Sequence, residues 1–206
     1  MNLKIIFEFI DLTLHKENSI RESKSLTMSS ESLNTKHEND LPLAALVLVG
    51  GYGTRLRPLT FTRSKPLVEF CNKPMVEYML DALTSVGCQK IIFALSELQN
   101  DFNAYLKEYQ KRQSNIEIIP SIETHPLGTA GPIALAKNHL QGHRFFMLSS
   151  DIISPYPFKE LLAFHLEHGG EGTIMSWDVE DPSRFGVILS DDNCCVTSFV
   201  EKPKSF

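Results

Sequence analysis

Residues 43–58 read LAALVLVGGYGTRLRP, and the join between Val49 and Gly50 decides how the rest of the chain is parsed. Leu43 to Val49 is an unbroken aliphatic run bounded by glycine, the pattern of a strand buried on both faces of a sheet. A loop comes next, with Gly50, Gly51 and Gly53 set among Tyr52, Thr54 and Arg55. Glycines at the carboxyl end of a first strand let backbone N–H groups approach a phosphate closely, and such ends are where open α/β sheets hold ligands. Two known glycine loops do not fit. A Walker P-loop needs Gly-Lys-Ser/Thr after four intervening residues, and a dinucleotide fingerprint needs glycine where Leu56 stands and a helix that Pro58 obstructs.

Downstream, short apolar runs alternate with helical patterns. Strands are expected over 90–95, 116–120 and 144–148, and helices over 75–86, 101–112, 129–140 and 158–168, the first ending at the C-cap signal Gly87. That alternation implies an α/β domain with a mostly parallel sheet, flanking helices and right-handed crossovers. After Gly172 the pattern turns strand-rich, over 173–179, 187–189 and 196–200, as if a smaller substrate layer begins.

Upstream, residues 1–41 have clustered serines and no glycine. They read as an N-terminal extension, disordered or carrying a weak amphipathic helix from Leu3, Ile6, Ile10 and Leu14, with Met28 as a possible alternative start; the domain proper is expected over 42–206. Lys4, Glu8 and Asp11 interrupt any signal-peptide core. With 206 residues, 42% hydrophobic and 22% charged, one globular core is expected. A net charge of -5 argues against a nucleic-acid footprint, and no apolar run approaches the roughly 18 residues of a membrane span. The four cysteines, Cys71, Cys88, Cys194 and Cys195, have neither disulfide-framework nor zinc spacing; they suit a reducing, cytoplasmic setting and read as small buried or half-buried hydrophobes. His165 and His168 are expected on a solvated helix face rather than on a metal, and Trp177 in core or edge packing.

The loop is also an island of positive charge. Between Gly50 and Val68 there is no acidic residue, while Arg55, Arg57, Arg63 and Lys65 are present. In a chain of negative net charge this concentrates an anion site at the strand end.

Gly-Gly-x-Gly-Thr-Arg-Leu-x-Pro-x-Thr, followed by Lys65-Pro66 and Asn72-Lys73-Pro74-Met75, resembles the sugar-1-phosphate nucleotidylyltransferase family, and within it the catalytic, beta-type mannose-1-phosphate guanylyltransferases. Further matching motifs are Pro126 to Pro132, Ser150-Asp151, Arg184-Phe185-Gly186-Val187 and Phe199-Val200-Glu201-Lys202-Pro203. The resemblance runs from about Leu43 to Phe206 and implies a Rossmann-like nucleotide-diphospho-sugar transferase fold, incomplete on its C-terminal side. The implied substrates are GTP and mannose-1-phosphate, with Mg²⁺ as cofactor and GDP-mannose and pyrophosphate as products.

The resemblance also assigns roles. Gly50, Gly51, Gly53 and Thr54 would cradle the nucleotide phosphates, Arg55 the departing pyrophosphate, and Lys65 the reacting phosphate. Asp151, after an apolar strand, would hold Mg²⁺. Glu123, five residues before Gly128, stands where the family reads the base; a carboxylate accepts both N1–H and N2–H of guanine, while Gly128 admits the base to the backbone. Gly186, Glu201 and Lys202 would meet the sugar phosphate, with Gly186 close to the sugar. Arg55, Lys65 and Lys202 are thus the catalytic candidates. Three positions depart from the family's frequent residues: Ser149 for asparagine, Ser64 for proline and Phe185 for tyrosine. The family's second metal carboxylate and its left-handed β-helix domain are expected beyond Phe206. Two alternatives stand beside catalysis. One is a non-catalytic regulatory subunit or shortened relative that binds nucleotide sugar; the other is a transferase for a different nucleoside triphosphate and sugar phosphate. A homo-oligomer, or a complex with a related regulatory subunit, is a further expectation.

Overall fold

Four parallel strands carry the centre of the molecule, and their carboxyl ends carry the site. The computed structural model of the chain describes residues 3–11 (backbone), 41–51, 53–96, 99–123 and 130–203. In chain order the elements are β1 (Leu3–Asp11), β2 (Leu43–Val49), the two-residue strands β3 (Glu69–Phe70) and β4 (Lys73–Pro74), α1 (Met75–Ser85), β5 (Lys90–Leu95) and α2 (Asn100–Arg112). Then follow β6 (Glu117–Ile122), α3 (Gly131–Leu140), β7 (Arg144–Ser149), α4 (Phe158–His168), β8 (Gly172–Asp178), β9 (Gly186–Ser190) and β10 (Val196–Glu201). The main sheet has six strands in the order β6-β5-β2-β7-β1-β8. β2 pairs in parallel with β5 and β7, so that Val47 lies between Phe93 and Leu148, and β5 pairs in parallel with β6. The α/β reading and the strand and helix positions expected from residue 43 onward hold to within a few residues at each end.

Alternate residues of the central strands enter two different cores, which is why their sequences are apolar without alternation. Ala45, Val47, Ile91, Phe93 and Phe146 face α1, α2 and α4, where Leu80, Leu83, Phe102 and Phe158 are buried. Ala44, Leu46, Ile92 and Phe145 face the opposite way, against Ala136 and Leu140 of α3. Phe93 and Phe102 meet edge to face, with ring centroids 5.4 Å apart. Truncating a phenylalanine buried this fully costs about 3–5 kcal/mol. α1 stops where Gly87 takes φ +90°: the Gly87 N–H reaches the Thr84 carbonyl and the Cys88 N–H the Leu83 carbonyl, both at 3.0 Å, which satisfies two of the helix's free carbonyls.

The first residues depart from expectation. Leu3–Asp11 is neither helix nor tail but a strand, antiparallel to both β7 and β8 and lying between them. Ile5, Ile6, Phe7, Phe9 and Ile10 are strong strand formers, and two open neighbouring edges outweigh the apolar spacing that suggested a helix. The rest of the extension, residues 12–40, lies outside the described residues.

Three smaller expectations also change. His165 is buried rather than solvated; its Nδ1 lies 2.9 Å and the Nε2 of His168 2.7 Å from the Thr173 hydroxyl, so the pair pins α4 to β8. Trp177 stands exposed on β8. Of the cysteines only Cys88 is buried, while Cys71, Cys194 and Cys195 are exposed. No helix among the described residues is long and apolar enough to cross a membrane.

Candidate active site

β6, β5, β2 and β7 end on one edge of the sheet, and because they are parallel neighbours their outgoing loops line up in that order. The loop from β2 turns at Gly51 and Gly53, both in the left-handed region at φ +82° and +60°. Gly53 has a second reason to be glycine: a Cβ there would lie 2.8 Å from Cγ2 of Thr60 and 3.3 Å from Cβ of Lys65. The loop therefore folds back over its own glycine. The Thr60 hydroxyl donates to the Gly53 carbonyl at 2.8 Å, and the Leu56 N–H donates to the same carbonyl at 2.9 Å. Gly50, Gly51, Thr54 and Arg55 are exposed along the outer side.

The four cations of the loop have different surroundings. Arg55 makes no ion pair or side-chain hydrogen bond with the described residues. Arg57 stacks over Phe61, 5.2 Å from the ring centroid. Arg63 pairs with Glu69 at 2.5 Å. Lys65, in a short 3-10 turn that buries Pro66 and Leu67, ion-pairs with Asp151. Sequence showed no acid within the loop. The fold supplies Glu69, Asp101 and Asp151 from outside it, while Arg55 is exposed and unpaired among the described residues.

Asp151 follows β7, beside the buried Ser150, whose N–H reaches the Leu48 carbonyl at 3.0 Å. This bond ties the turn carrying Asp151 to the strand that launches the glycine loop. No cluster of three metal-ligating side chains forms among the described residues. A single carboxylate combined with phosphate oxygens and water is a donor set of the kind Mg²⁺ takes, and the Lys65 ammonium against Asp151 shows that this carboxylate faces a position a cation occupies.

Glu123 sits just past β6, two strand spacings or roughly 10 Å from β2. Its N–H donates to the Leu95 carbonyl at 2.8 Å. Its Oε1 is buried with no hydrogen-bond partner among the described residues. A buried carboxylate oxygen without a partner is costly, which marks this oxygen as an acceptor still to be matched. Gly128 lies outside the described residues.

Gly186, Glu201 and Lys202 come together on the antiparallel hairpin of β9 and β10, where Glu201 pairs with Gly186. The Lys202 ammonium lies 2.9 Å from Glu201 Oε1, and the Lys202 N–H bonds the Phe185 carbonyl at 3.0 Å. The face of Gly186 is already covered. A Cβ there would lie 2.5 Å from the Phe199 ring, so this glycine makes room for a phenylalanine as well as for any sugar. No hydrogen bond or ion pair among the described residues links this trio to Arg55, Lys65, Asp151 or Glu123. Sequence reasoning missed Phe199 as a neighbour of the site, although cross-strand pairing places it one step diagonally from Gly186. It also missed Asp101, for which an acid in the first turn of a helix gave no distinguishing signal.

A glycine loop over a parallel sheet, cations at its tip and a carboxylate on the next strand define a phosphate-handling α/β domain. The chain belongs to the nucleotidyl transferase family, whose model matches residues 44–206. It is 51% identical over 164 residues to mannose-1-phosphate guanylyltransferase catalytic subunit beta of Drosophila melanogaster, covering 79% of this chain and 44% of that one. The protein of the same name from Dictyostelium discoideum is 49% identical over 166 residues, covering 80% and 46%. A mannose-1-phosphate guanyltransferase of Neurospora crassa is 49% identical over 168 residues, with the same coverage of 80% and 46%. The chain thus spans a little under half the length of these curated relatives. Among solved structures, a Bacillus anthracis chain described as a glucose-1-phosphate thymidylyltransferase superposes with a TM-score of 0.60 at 20% identity, over 79% of this chain and 65% of its own; that likeness is one of fold.

Proposed function

We propose that this chain carries the nucleotide-binding half of a mannose-1-phosphate guanylyltransferase, which forms GDP-mannose and pyrophosphate from GTP and mannose-1-phosphate. The observation behind the reading is the ion pair that joins Lys65, from the loop after β2, to Asp151, from the turn after β7, with Arg55 exposed and unpaired among the described residues. An oxygen of the sugar phosphate attacks the α-phosphorus of GTP; the bond from that phosphorus to the oxygen bridging the β-phosphate breaks, and pyrophosphate leaves with the bonding pair. The attacking oxygen is already anionic near neutral pH, so no side chain has to remove a proton. The protein's work is positioning and charge neutralisation.

In this reading the backbone of Gly50, Gly51, Gly53 and Thr54 receives the phosphates, Arg55 holds the departing pyrophosphate, and Lys65 turns from Asp151 to the α-phosphate. Asp151 would then hold Mg²⁺, which supplies charge neutralisation between the nucleotide phosphates. Glu123 uses its bare Oε1 to accept from guanine, with Gly128 beside the base. Lys202 clamps the sugar phosphate and Glu201 a sugar hydroxyl. Free thiols suit a reducing compartment, so a cytoplasmic location is part of the proposal. So is association with a related subunit, since the relatives' names designate a catalytic subunit.

That no group of three metal-ligating side chains forms among the described residues favours a second reading, a nucleotide-sugar-binding subunit without turnover. An assay for pyrophosphate release from GTP with and without mannose-1-phosphate separates the two. Release that depends on both substrates supports catalysis; Mg²⁺-GTP binding without release supports the second reading.

A further inference from the structure

The loop over residues 50–65 keeps its own shape through short-range bonds, from Leu56 and Thr60 to Gly53 and, at 3.0 Å, from Phe61 to Pro58. None of these fixes where the loop stands over the sheet. Asp101 does. It lies in the first turn of α2, and its Oδ2 accepts from the Ser64 N–H at 2.7 Å while its Oδ1 accepts from the Ser64 hydroxyl. Oδ1 also takes the Phe102 N–H at 2.8 Å, and Phe102 is buried against Phe93. Ser64 is buried, and the Leu67 N–H closes on its carbonyl at 2.9 Å. All three polar groups of Ser64 are therefore engaged, and Lys65 leaves from a fixed residue.

We infer that Asp101 is a positioning residue for Lys65: by gripping both donors of Ser64, its carboxylate holds the phosphate loop where the Lys65 ammonium reaches Asp151. The inference rests on the reading of Lys65 as a phosphate-binding cation. An ionised carboxylate accepts each Ser64 donor on its own oxygen, whereas an amide meets them with one oxygen and an NH₂ group that is itself a donor. Bonds to an ionised acceptor are also about twice as strong as neutral ones. Among the described residues, the other charged side chains that line the cleft around Asp101 are Arg57, Arg63 and Lys65, all cations. Burial opposes ionisation of Asp101, but the bonds from Ser64 and Phe102 outweigh it and hold the carboxyl below its usual range. At φ −57° Ser64 has a backbone that proline also adopts, yet proline would delete the N–H and the hydroxyl together. Serine at this position is what makes the tie to α2 possible.

Titration calorimetry of Mg²⁺-GTP into the native chain, Asp101→Asn, Lys65→Ala and the double variant tests this. Asp101→Asn weakens binding roughly tenfold in the native background. On the Lys65→Ala background it weakens it no further, because the group it positions is gone. Equal losses on both backgrounds, or none on either, would overturn the inference. Ser64→Thr, which keeps both donors, binds like the native chain, and Ser64→Ala binds more weakly; equal losses for those two would also overturn it. If the native chain does not bind Mg²⁺-GTP, the proposed function falls, and amide hydrogen exchange judges the tie by itself. Exchange at Ser64 and Leu67 is then roughly tenfold faster in Asp101→Asn, whereas unchanged exchange rules the tie out.

Discussion

Lys65 and Asp151, 86 residues apart in the chain, are ion-paired across the carboxyl ends of β2 and β7. Both are part-exposed, and such pairs contribute about 1 kcal/mol or less to stability. In the proposed function, a Mg²⁺-bound triphosphate that offers Lys65 an anion and Asp151 a cation would therefore open the pair at little cost. Asp151→Asn should abolish Mg²⁺-dependent pyrophosphate release and leave Tm within a few degrees of native. Near-native turnover would remove Asp151 from the metal site.

Glu123 gives the second test. If its buried Oε1 accepts from guanine, Glu123→Gln places an amide where two donors arrive. GTP should lose about 1–3 kcal/mol of affinity relative to UTP, the usual cost of a polar group left unmatched. Calorimetry of both nucleotides with Mg²⁺ measures the ratio, and an unchanged ratio would exclude Glu123 from base recognition.

On the hairpin, Gly186→Ala would drive the Phe199 ring aside, since the new Cβ falls 2.5 Å from its tip. Phe199 is half exposed and can swing outward, so the loss of stability should stay near 1 kcal/mol. The expected signature is a raised KM for mannose-1-phosphate with an almost unchanged KM for GTP. Equal changes in both would mean that the hairpin does not discriminate between the two substrates.

Asp101 adds a pH dependence. Its folded carboxyl lies below the ordinary aspartate value of 3.8, so its contribution to stability is fully present above that value and is lost as pH falls through the lower folded one. Relative to the native chain, Asp101→Asn should have a lower Tm at neutral pH, with the two acid-unfolding curves converging at the lowest pH. Parallel curves would show that the carboxylate's charge does not matter.

The thiols offer a simple check of the fold. Burial pushes Cys88 up to about 12, while Cys71, Cys194 and Cys195 are exposed. At pH 8 an aromatic disulfide reagent should titrate three of the four cysteines rapidly and the fourth only after denaturation. Four rapid thiols would mean that the turn after α1 is open.

The longer elements from β2 to α4 were legible because each is written locally, as an apolar run with its own period; the two-residue β3 and β4 were not. Leu43 to Val49 reads as a doubly buried strand without knowledge of any partner. Long-range pairings were not legible. Nothing near Lys65 announces Asp151, and nothing near Ser64 announces Asp101, because the three-dimensional sheet alone brings these loops to one edge. His165 was misread for a similar reason: its partner Thr173 lies on the next strand, and a histidine on a helix carries no local sign of being buried. β1 was missed because the spacing of Leu3, Ile6 and Ile10 imitates a helix, while its real determinants are the vacant edges of β7 and β8.

That last placement reaches beyond the N-terminus. In the described sheet β7 and β8 do not pair with each other; β1 is the strand hydrogen-bonded between them, and β8 leads on to the hairpin carrying Gly186, Glu201 and Lys202. The opening residues thus act as a dowel between the half of the molecule that would take the nucleotide and the half that would take the sugar. A polypeptide initiated at Met28 would carry the same glycine loop and the same hairpin without that dowel, with two bare strand edges facing each other and each open to a neighbouring chain.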